Sequence, residues 1–158
     1  MASHDRHRRV ASLAGLYTLA VALGAVLALG RSETLYYTTD HDDRGAPLRA
    51  ECRYRIEGPP PPSRWWSLTA YAADHFLFPN DAKRYSVSGE TVALDGQGRF
   101  SATIGPPSDS SFDDASWIPT AGRGGMRLTL RLYGASETVQ RAPGSLVTPS
   151  IRLDGACP

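Results

Sequence analysis

The sequence predicts an all-β fold, an antiparallel β-sandwich of jelly-roll-like form, preceded by one N-terminal transmembrane helix. Apolar side chains recur at every second position in four separate runs, which is the period of a half-buried strand. Turn sequences rich in Asp, Gly and Pro separate those runs. One uncharged stretch near the N-terminus is long enough to cross a bilayer, and nothing in the chain resembles a second.

Residues 1–9 form a basic N-terminus: Arg6, Arg8 and Arg9 stand with His4 and His7 against Asp5 alone. Residues 10–30 follow as a transmembrane helix or signal anchor, built almost wholly of Ala, Leu, Val and Gly. About twenty residues at a rise of 1.5 Å span a hydrocarbon core of roughly 30 Å. The run has no charged face, as a soluble amphipathic helix would. The basic flank keeps residues 1–9 in the cytoplasm and sends residues 31–158 across the membrane. A cleaved signal peptide is the alternative, with Val26-Leu27-Ala28 or Ala28-Leu29-Gly30 as small-residue cleavage sites. The run exceeds the ~7–15 residues of a signal h-region, which favours a retained anchor with the lipid bilayer as its partner. Either way the domain is exported, and one span excludes a channel or transporter built from this chain alone.

The exported part, about 128 residues, suits one domain with one core. Leu35–Thr39 reads as a weak first strand, and Asp42-Asp43-Arg44-Gly45 as a hairpin turn. Cys52, Tyr54 and Ile56 then alternate with Arg53, Arg55 and Glu57. Pro59–Pro62 is a stiff, extended connector. After it, Trp66, Leu68 and Ala70 alternate with Trp65, Ser67, Thr69 and Tyr71, so adjacent tryptophans point to opposite faces. Ala72–Phe78 reads as one helical turn, and Ser86–Ser88 and Thr91–Leu94 as weak strands. Asp95-Gly96-Gln97-Gly98 is a second hairpin turn, before Phe100, Ala102 and Ile104 alternate with Ser101 and Thr103. Gly105–Ser116 is a polar, acidic loop. Met126, Leu128, Leu130 and Leu132, alternating with Arg127, Thr129, Arg131 and Tyr133, give the cleanest strand, and Ser150–Leu153 the last. Seven or eight short strands with such turns describe the sandwich.

Cys52 and Cys157 are the only cysteines, and both follow the membrane segment. In an oxidising compartment two cysteines most simply form one disulfide, here closing a loop of about a hundred residues. The other readings are a metal pair or a reactive thiol, but no Cys or His stands at metal-ligand spacing from either. Three Arg and one Asp give Met1–Gly30 a charge of +2, which leaves −1 for the exported part of a chain that is +1 in all. A near-neutral domain without a basic cluster argues against nucleic-acid binding.

No catalytic constellation assembles from the residues. Asp40-His41-Asp42-Asp43 is metal-like in composition, but neighbours on an extended segment point apart, and a polar turn capped by its own Asp side chains explains it. No metal and no cofactor are therefore expected. His75 sits one residue from Asp74 and no Gly-x-Ser-x-Gly elbow exists, so a catalytic triad has no support. Glu51, Glu57, Asp74, Asp81 and Asp95 qualify for glycoside hydrolysis by type only, and nothing selects a pair.

The aromatic and arginine set is more informative. Trp65, Tyr71, Arg131 and Tyr133 lie opposite the apolar stripes of their own strands, and Arg64, Arg84 and Trp117 come from adjoining turns and loops. Aromatic rings beside guanidinium groups can hold a sugar, a carboxylated metabolite or a peptide. The same residues would also serve as buried aromatics in both sheets, with Arg131 stacking on a tryptophan to close the sandwich edge.

Several motifs, in order, resemble the domain-of-unknown-function 1214 family in its short bacterial membrane-anchored form, from about Leu35 to Cys157. They are an Asp-x-x-Gly turn before Pro47-Leu48, Cys52-x-Tyr54-x-Ile56-x-Gly58, and Arg64-Trp65-Trp66-Ser67-Leu68-Thr69. Asn80 with Arg84-Tyr85-Ser86, Asp95-Gly96, Trp117-Ile118-Pro119, Leu130-Arg131-Leu132-Tyr133 and Pro149-x-Ile151 with Cys157 complete the set. The resemblance implies an all-β sandwich that in longer proteins often follows a second domain of unknown function, numbered 1254; it carries over no catalytic residue. The expected location is the bacterial inner membrane, single-pass, with the C-terminal domain in the periplasm, or secretion after signal cleavage. The expected function is non-catalytic: binding an envelope ligand or a membrane-protein partner. The alternatives are an envelope enzyme acting on carbohydrate or a small polar molecule, and a structural or assembly subunit of a membrane complex.

Overall fold

The computed structural model describes residues 18–19, 34–108 and 114–158, and these form an all-β domain of two packed sheets. The strands are β1 (Thr18–Leu19), β2 (Thr34–Thr39), β3 (Tyr54–Gly58), β4 (Ser63–Ala72) and β5 (Ser86–Ser88), then β6 (Phe100–Gly105), β7 (Trp117–Pro119), β8 (Met126–Ala135) and β9 (Ser150–Leu153). The first sheet has the order β1-β2-β8-β4-β5 and the second β7-β6-β3-β9.

The clean alternation of β8 places it at the centre of the first sheet. Leu130 lies opposite Tyr37 of β2 on one side and Leu68 of β4 on the other. Met126, Leu128, Leu130 and Leu132 are buried with Trp66, Leu68, Ala70 and Val87, and this stripe is one side of the core. Tyr54, Ile56, Phe100, Ala102, Ile104 and Ile151 supply the other from the second sheet. Trp66 meets Phe100 between the layers with ring centroids 4.8 Å apart. Burying each such side chain contributes roughly 1.5–3 kcal/mol before ordering costs.

The connections follow turn chemistry. Asp42 Oδ1 accepts from Arg44 N and Ala46 N, at 2.9 and 3.0 Å, and Asp95 Oδ1 accepts from Gln97 N and Arg99 N, at 2.8 and 2.9 Å. Both expected hairpin turns are thus built by one Asp side chain, each with a glycine at positive φ. Pro59–Pro62 carries the chain from β3 in the second sheet to β4 in the first. Cys52 and Cys157 form a disulfide with Cα atoms 4.8 Å apart, across a sequence separation of 105.

Three expectations are corrected and one element is added. The sandwich is not wholly antiparallel, and so departs from a jelly roll, because β7 runs parallel to β6. Thr103 N donates to Ser116 O and Thr120 N to Gly105 O, which hold β7 alongside β6 in the same direction, and residues 109–113 of the expected Gly105–Ser116 loop lie outside the described residues. Ala72–Phe78 is a tight turn and not a helical one: Ala72 N donates to Phe76 O, Tyr71 bridges Leu77, and His75 takes a φ of 70°. Thr91–Leu94 is not a strand, since Thr91 N and Val92 N fold back onto Ser88 O. A short helix, α1 (Glu137–Arg141), capped by Ser136 Oγ and anchored by buried Val139, had no clear sequence signal.

The expected transmembrane helix over residues 10–30 falls outside the described residues except at Thr18 and Leu19. Those two are extended and pair with Thr38 and Tyr37 at the edge of β2. Among the described residues no helix is long and apolar enough to cross a membrane.

Candidate functional site

The outer face of the first sheet is where the period-two pattern places polar and aromatic groups together. On β8 it presents Arg127, Thr129, Arg131 and Tyr133; on β4, Trp65, Ser67, Thr69 and Tyr71; on β2, Thr34, Tyr36 and Thr38. Antiparallel register brings Tyr36 and Ser67 to either side of Arg131, and Thr34 and Trp65 to either side of Tyr133.

Arg131 is the centre of this face. Its Nη2 donates to Tyr71 Oη at 2.6 Å and its Nη1 to Thr69 Oγ1 at 3.2 Å. Its guanidinium carbon lies 5.6 Å from the ring centroids of both Tyr36 and Tyr71, within cation–π range of each. Among the described residues no carboxylate pairs with it. A half-buried cation held by two hydroxyls and two rings, without a counter-ion among those residues, is electrostatically suited to an anion. Beside it opens a groove of about 420 Å³, walled by Tyr36, Thr38, Tyr71 and Thr129, with His75 and Arg127 at its far end. Arg127 already faces Asp40 at 3.7 Å.

Of the candidates read from sequence, four share this face. Arg131 and Tyr71 are bonded to each other, and Trp65 stacks on Tyr133 at 5.2 Å with rings tilted by 56°, both partly exposed. Arg64, the neighbour of Trp65, lies over Gly134 on the opposite side of the sheet. Arg84 and Trp117 are not brought here. Arg84 donates from Nη1 to Asp114 O at 2.6 Å, near the β6–β7 loop. Trp117 is 2% exposed in β7 of the second sheet, and its Nε1 donates to Gly105 O at 3.1 Å. It is a core residue, as the buried-aromatic reading of this set has it.

Sequence reasoning missed Tyr36, Thr38, Thr129, His75 and Arg127 as members of the groove. Thr129 and Arg127 were legible, since they alternate with the leucines of β8. Tyr36 was hidden by apolar neighbours on both sides, Leu35 and Tyr37.

Several of the carboxylates are spent on structure. Glu51 accepts from Gly124 N at 2.9 Å and from Arg49 Nη2 at 2.8 Å, and these bonds pull its carboxyl down to about 2. The Arg99 and Gln97 amides likewise lower Asp95. Asp74 accepts from Phe76 N at 3.0 Å. The Asp40–Asp43 run splits: Asp40 Oδ1 meets His41 Nδ1 at 2.6 Å, Asp42 is buried in its turn, and Asp43 Oδ1 accepts from Ile151 N. Among the described residues no group of three His, Cys, Asp or Glu is placed to hold a metal ion.

The model of a family described as a protein of unknown function, DUF1214, matches residues 33–137. The crystal structure of the VPA0106 protein from Vibrio parahaemolyticus is similar, with a TM-score of 0.74 and 26% identity over 85% of this chain and 34% of that one. The chain thus spans about a third of the length of that protein's structure. An uncharacterised protein from Burkholderia cenocepacia has a TM-score of 0.48 and 10% identity, over 77% of this chain and 29% of its own. No curated protein matches the chain.

Proposed function

The chain belongs to the DUF1214 family of proteins of unknown function, and from that premise we propose that it is a non-catalytic binding protein of the bacterial cell envelope. In this reading residues 10–30 anchor it, which requires Thr18 and Leu19 to leave the edge of β2 on which they pair here, and the domain faces the periplasm and takes its ligand on the outer face of the first sheet. The observation that carries this reading is Arg131: a guanidinium fixed by Tyr36, Tyr71 and Thr69, without a carboxylate partner among the described residues, beside a groove of small-molecule size. The basic residues 1–9 before an uncharged run support the orientation, and a disulfide suits an oxidising compartment.

Against an enzyme stand the carboxylates: Glu51, Asp74 and Asp95, which qualify by type for hydrolysis, are engaged by backbone amides and do not line the groove.

The test is thermal denaturation of the full chain in mild detergent against a panel of envelope sugars and small acids. A true ligand raises the midpoint saturably by mass action. Absence of any shift across charged and neutral compounds overturns the ligand reading. Fractionation with protease added to spheroplasts tests the location: digestion of the domain from outside, with the chain pelleting with membranes, is expected. Recovery as soluble periplasmic protein would replace the anchor with a cleaved signal. The exposed Trp65–Tyr133 pair also suits a protein partner, and co-purification after gentle detergent extraction separates that reading from a small ligand.

A further inference from the structure

Resting on the reading of this groove as a ligand site, we propose that its ligand is a small hydroxylated monocarboxylate of the sugar-acid class. Three features of the groove select that chemistry. A guanidinium carries five N–H donors in a planar fork. Two of them are used, by Thr69 Oγ1 and Tyr71 Oη, so three have no partner among the described residues. The flanking Tyr36 and Tyr71 rings keep the fork in place, and a fixed planar fork matches a carboxylate better than a point charge does.

The ligand carries one anionic group and not two. The second cation of the groove, Arg127, already faces Asp40 at 3.7 Å, so its charge is matched within the protein. A further carboxylate placed there would meet Asp40 as a like charge.

The body of the ligand is polar. The wall between the two arginines includes Thr129, with His75 also lining the groove, and a hydroxyl group on the ligand can pair with the Thr129 hydroxyl where an alkyl chain would leave it dry. The groove of about 420 Å³ lies at the small end of the ~300–1,000 Å³ seen for ligand pockets, room for one or two sugar-sized units.

Calorimetric titration of the full chain in detergent tests this with glucuronate, galacturonate and gluconate as probes. Their neutral counterparts are glucose and the methyl ester of glucuronate; hexanoate is an acid without hydroxyls. At least one sugar acid is expected to bind about ten- to a hundredfold more tightly than its neutral counterpart and than hexanoate, the range set by a charged hydrogen-bond pair. Arg131→Gln should erase that preference. Should Arg131→Gln fail to fold, Tyr71→Phe decides: it keeps the ring, removes the hydroxyl that holds Nη2, and should weaken the acid several-fold while the protein keeps its native near-UV signal. An affinity unaltered by Tyr71→Phe overturns the proposal. Equal binding of ester and acid, or of hexanoate and acid, also overturns it while leaving the groove a ligand site. Failure of all charged and neutral compounds removes the site itself.

Discussion

Gly124 N donates a 2.9 Å hydrogen bond to Glu51 Oε2, while Arg49 Nη2 donates to Oε1 at 2.8 Å. One 8% exposed carboxylate therefore ties the turn before β8 to the segment entering β3. The Gly124 amide first, and then Arg49, favour the ionised form, and the carboxyl falls from the ordinary 4.5 to about 2. A folded-state value below the unfolded one means that this contribution to stability is complete above about pH 4.5 and is lost as pH falls toward 2. Chemical denaturation of wild type and Glu51→Gln across pH 2–7 checks it. The variant should be less stable at neutral pH, and the two curves should converge at the acid end. A gap independent of pH would show that the amide geometry matters and the charge does not.

Leu130 and Tyr133 sit three residues apart on β8 and face opposite sides of the first sheet. Leu130 is fully buried between Tyr37 and Leu68, so Leu130→Ala removes transfer energy and leaves a cavity, a loss of about 2–5 kcal/mol. Tyr133 is 36% exposed and its chief ring contact is Trp65, so Tyr133→Ala should cost about 0.5–1.5 kcal/mol. Equilibrium denaturation of both variants reads the difference directly. Similar losses would mean that the outer face is covered and is no binding surface.

Much of this architecture was legible in residue patterns, and the exceptions have local causes. Met126 to Leu132 and Trp66 to Ala70 alternate because each strand has one face on the core, so Arg131, Tyr71, Trp65 and Tyr133 could be assigned to one surface before any contact was known. Tyr36 could not, because it lies between Leu35 and Tyr37 and all three are buried. Trp117 was misleading because β7 has three residues, too few to show a period. Thr91–Leu94 has strand-like composition, but Thr91 Oγ1 accepts from Ser88 N at 2.8 Å and curls the backbone locally. Side chain-to-backbone bonds of this kind outweigh propensity over three or four residues, and composition does not show which will form.

Arg64 and Gly134 lie opposite each other across β4 and β8, between the Ser63–Ala135 and Trp65–Tyr133 pairs. Gly134 has a φ of 57°, and a Cβ there would fall on the Arg64 guanidinium. Gly134→Ala should therefore destabilise for two separable reasons. The left-handed backbone costs an L residue about 1–2 kcal/mol, and displacement of the arginine adds to it. In the double variant with Arg64→Ala the second part should disappear and the first persist. A double-mutant cycle measures this. Strict additivity would show that the arginine moves aside freely and the whole cost lies in the backbone.

The Cys52–Cys157 bridge joins a buried side chain before β3 to an exposed one after β9, closing a loop across a separation of 105 residues. In the chain-entropy account, a loop near that length raises stability by about 4–5 kcal/mol by restricting the unfolded chain. The native contacts of β9 do not depend on the bridge alone: Asp154 N donates to Arg53 O at 2.8 Å, and Ile151 N to Asp43 Oδ1 at 2.9 Å. The reduced protein should thus keep its native near-UV signal while its denaturant midpoint falls. Cys157→Ser should do the same by about 4 kcal/mol or less, with a larger denaturant slope, because the unbridged unfolded chain exposes more surface. An unchanged slope would place the effect in the native state instead. Loss of the native signal on reduction would show that β9 detaches and that the bridge holds the second sheet's edge.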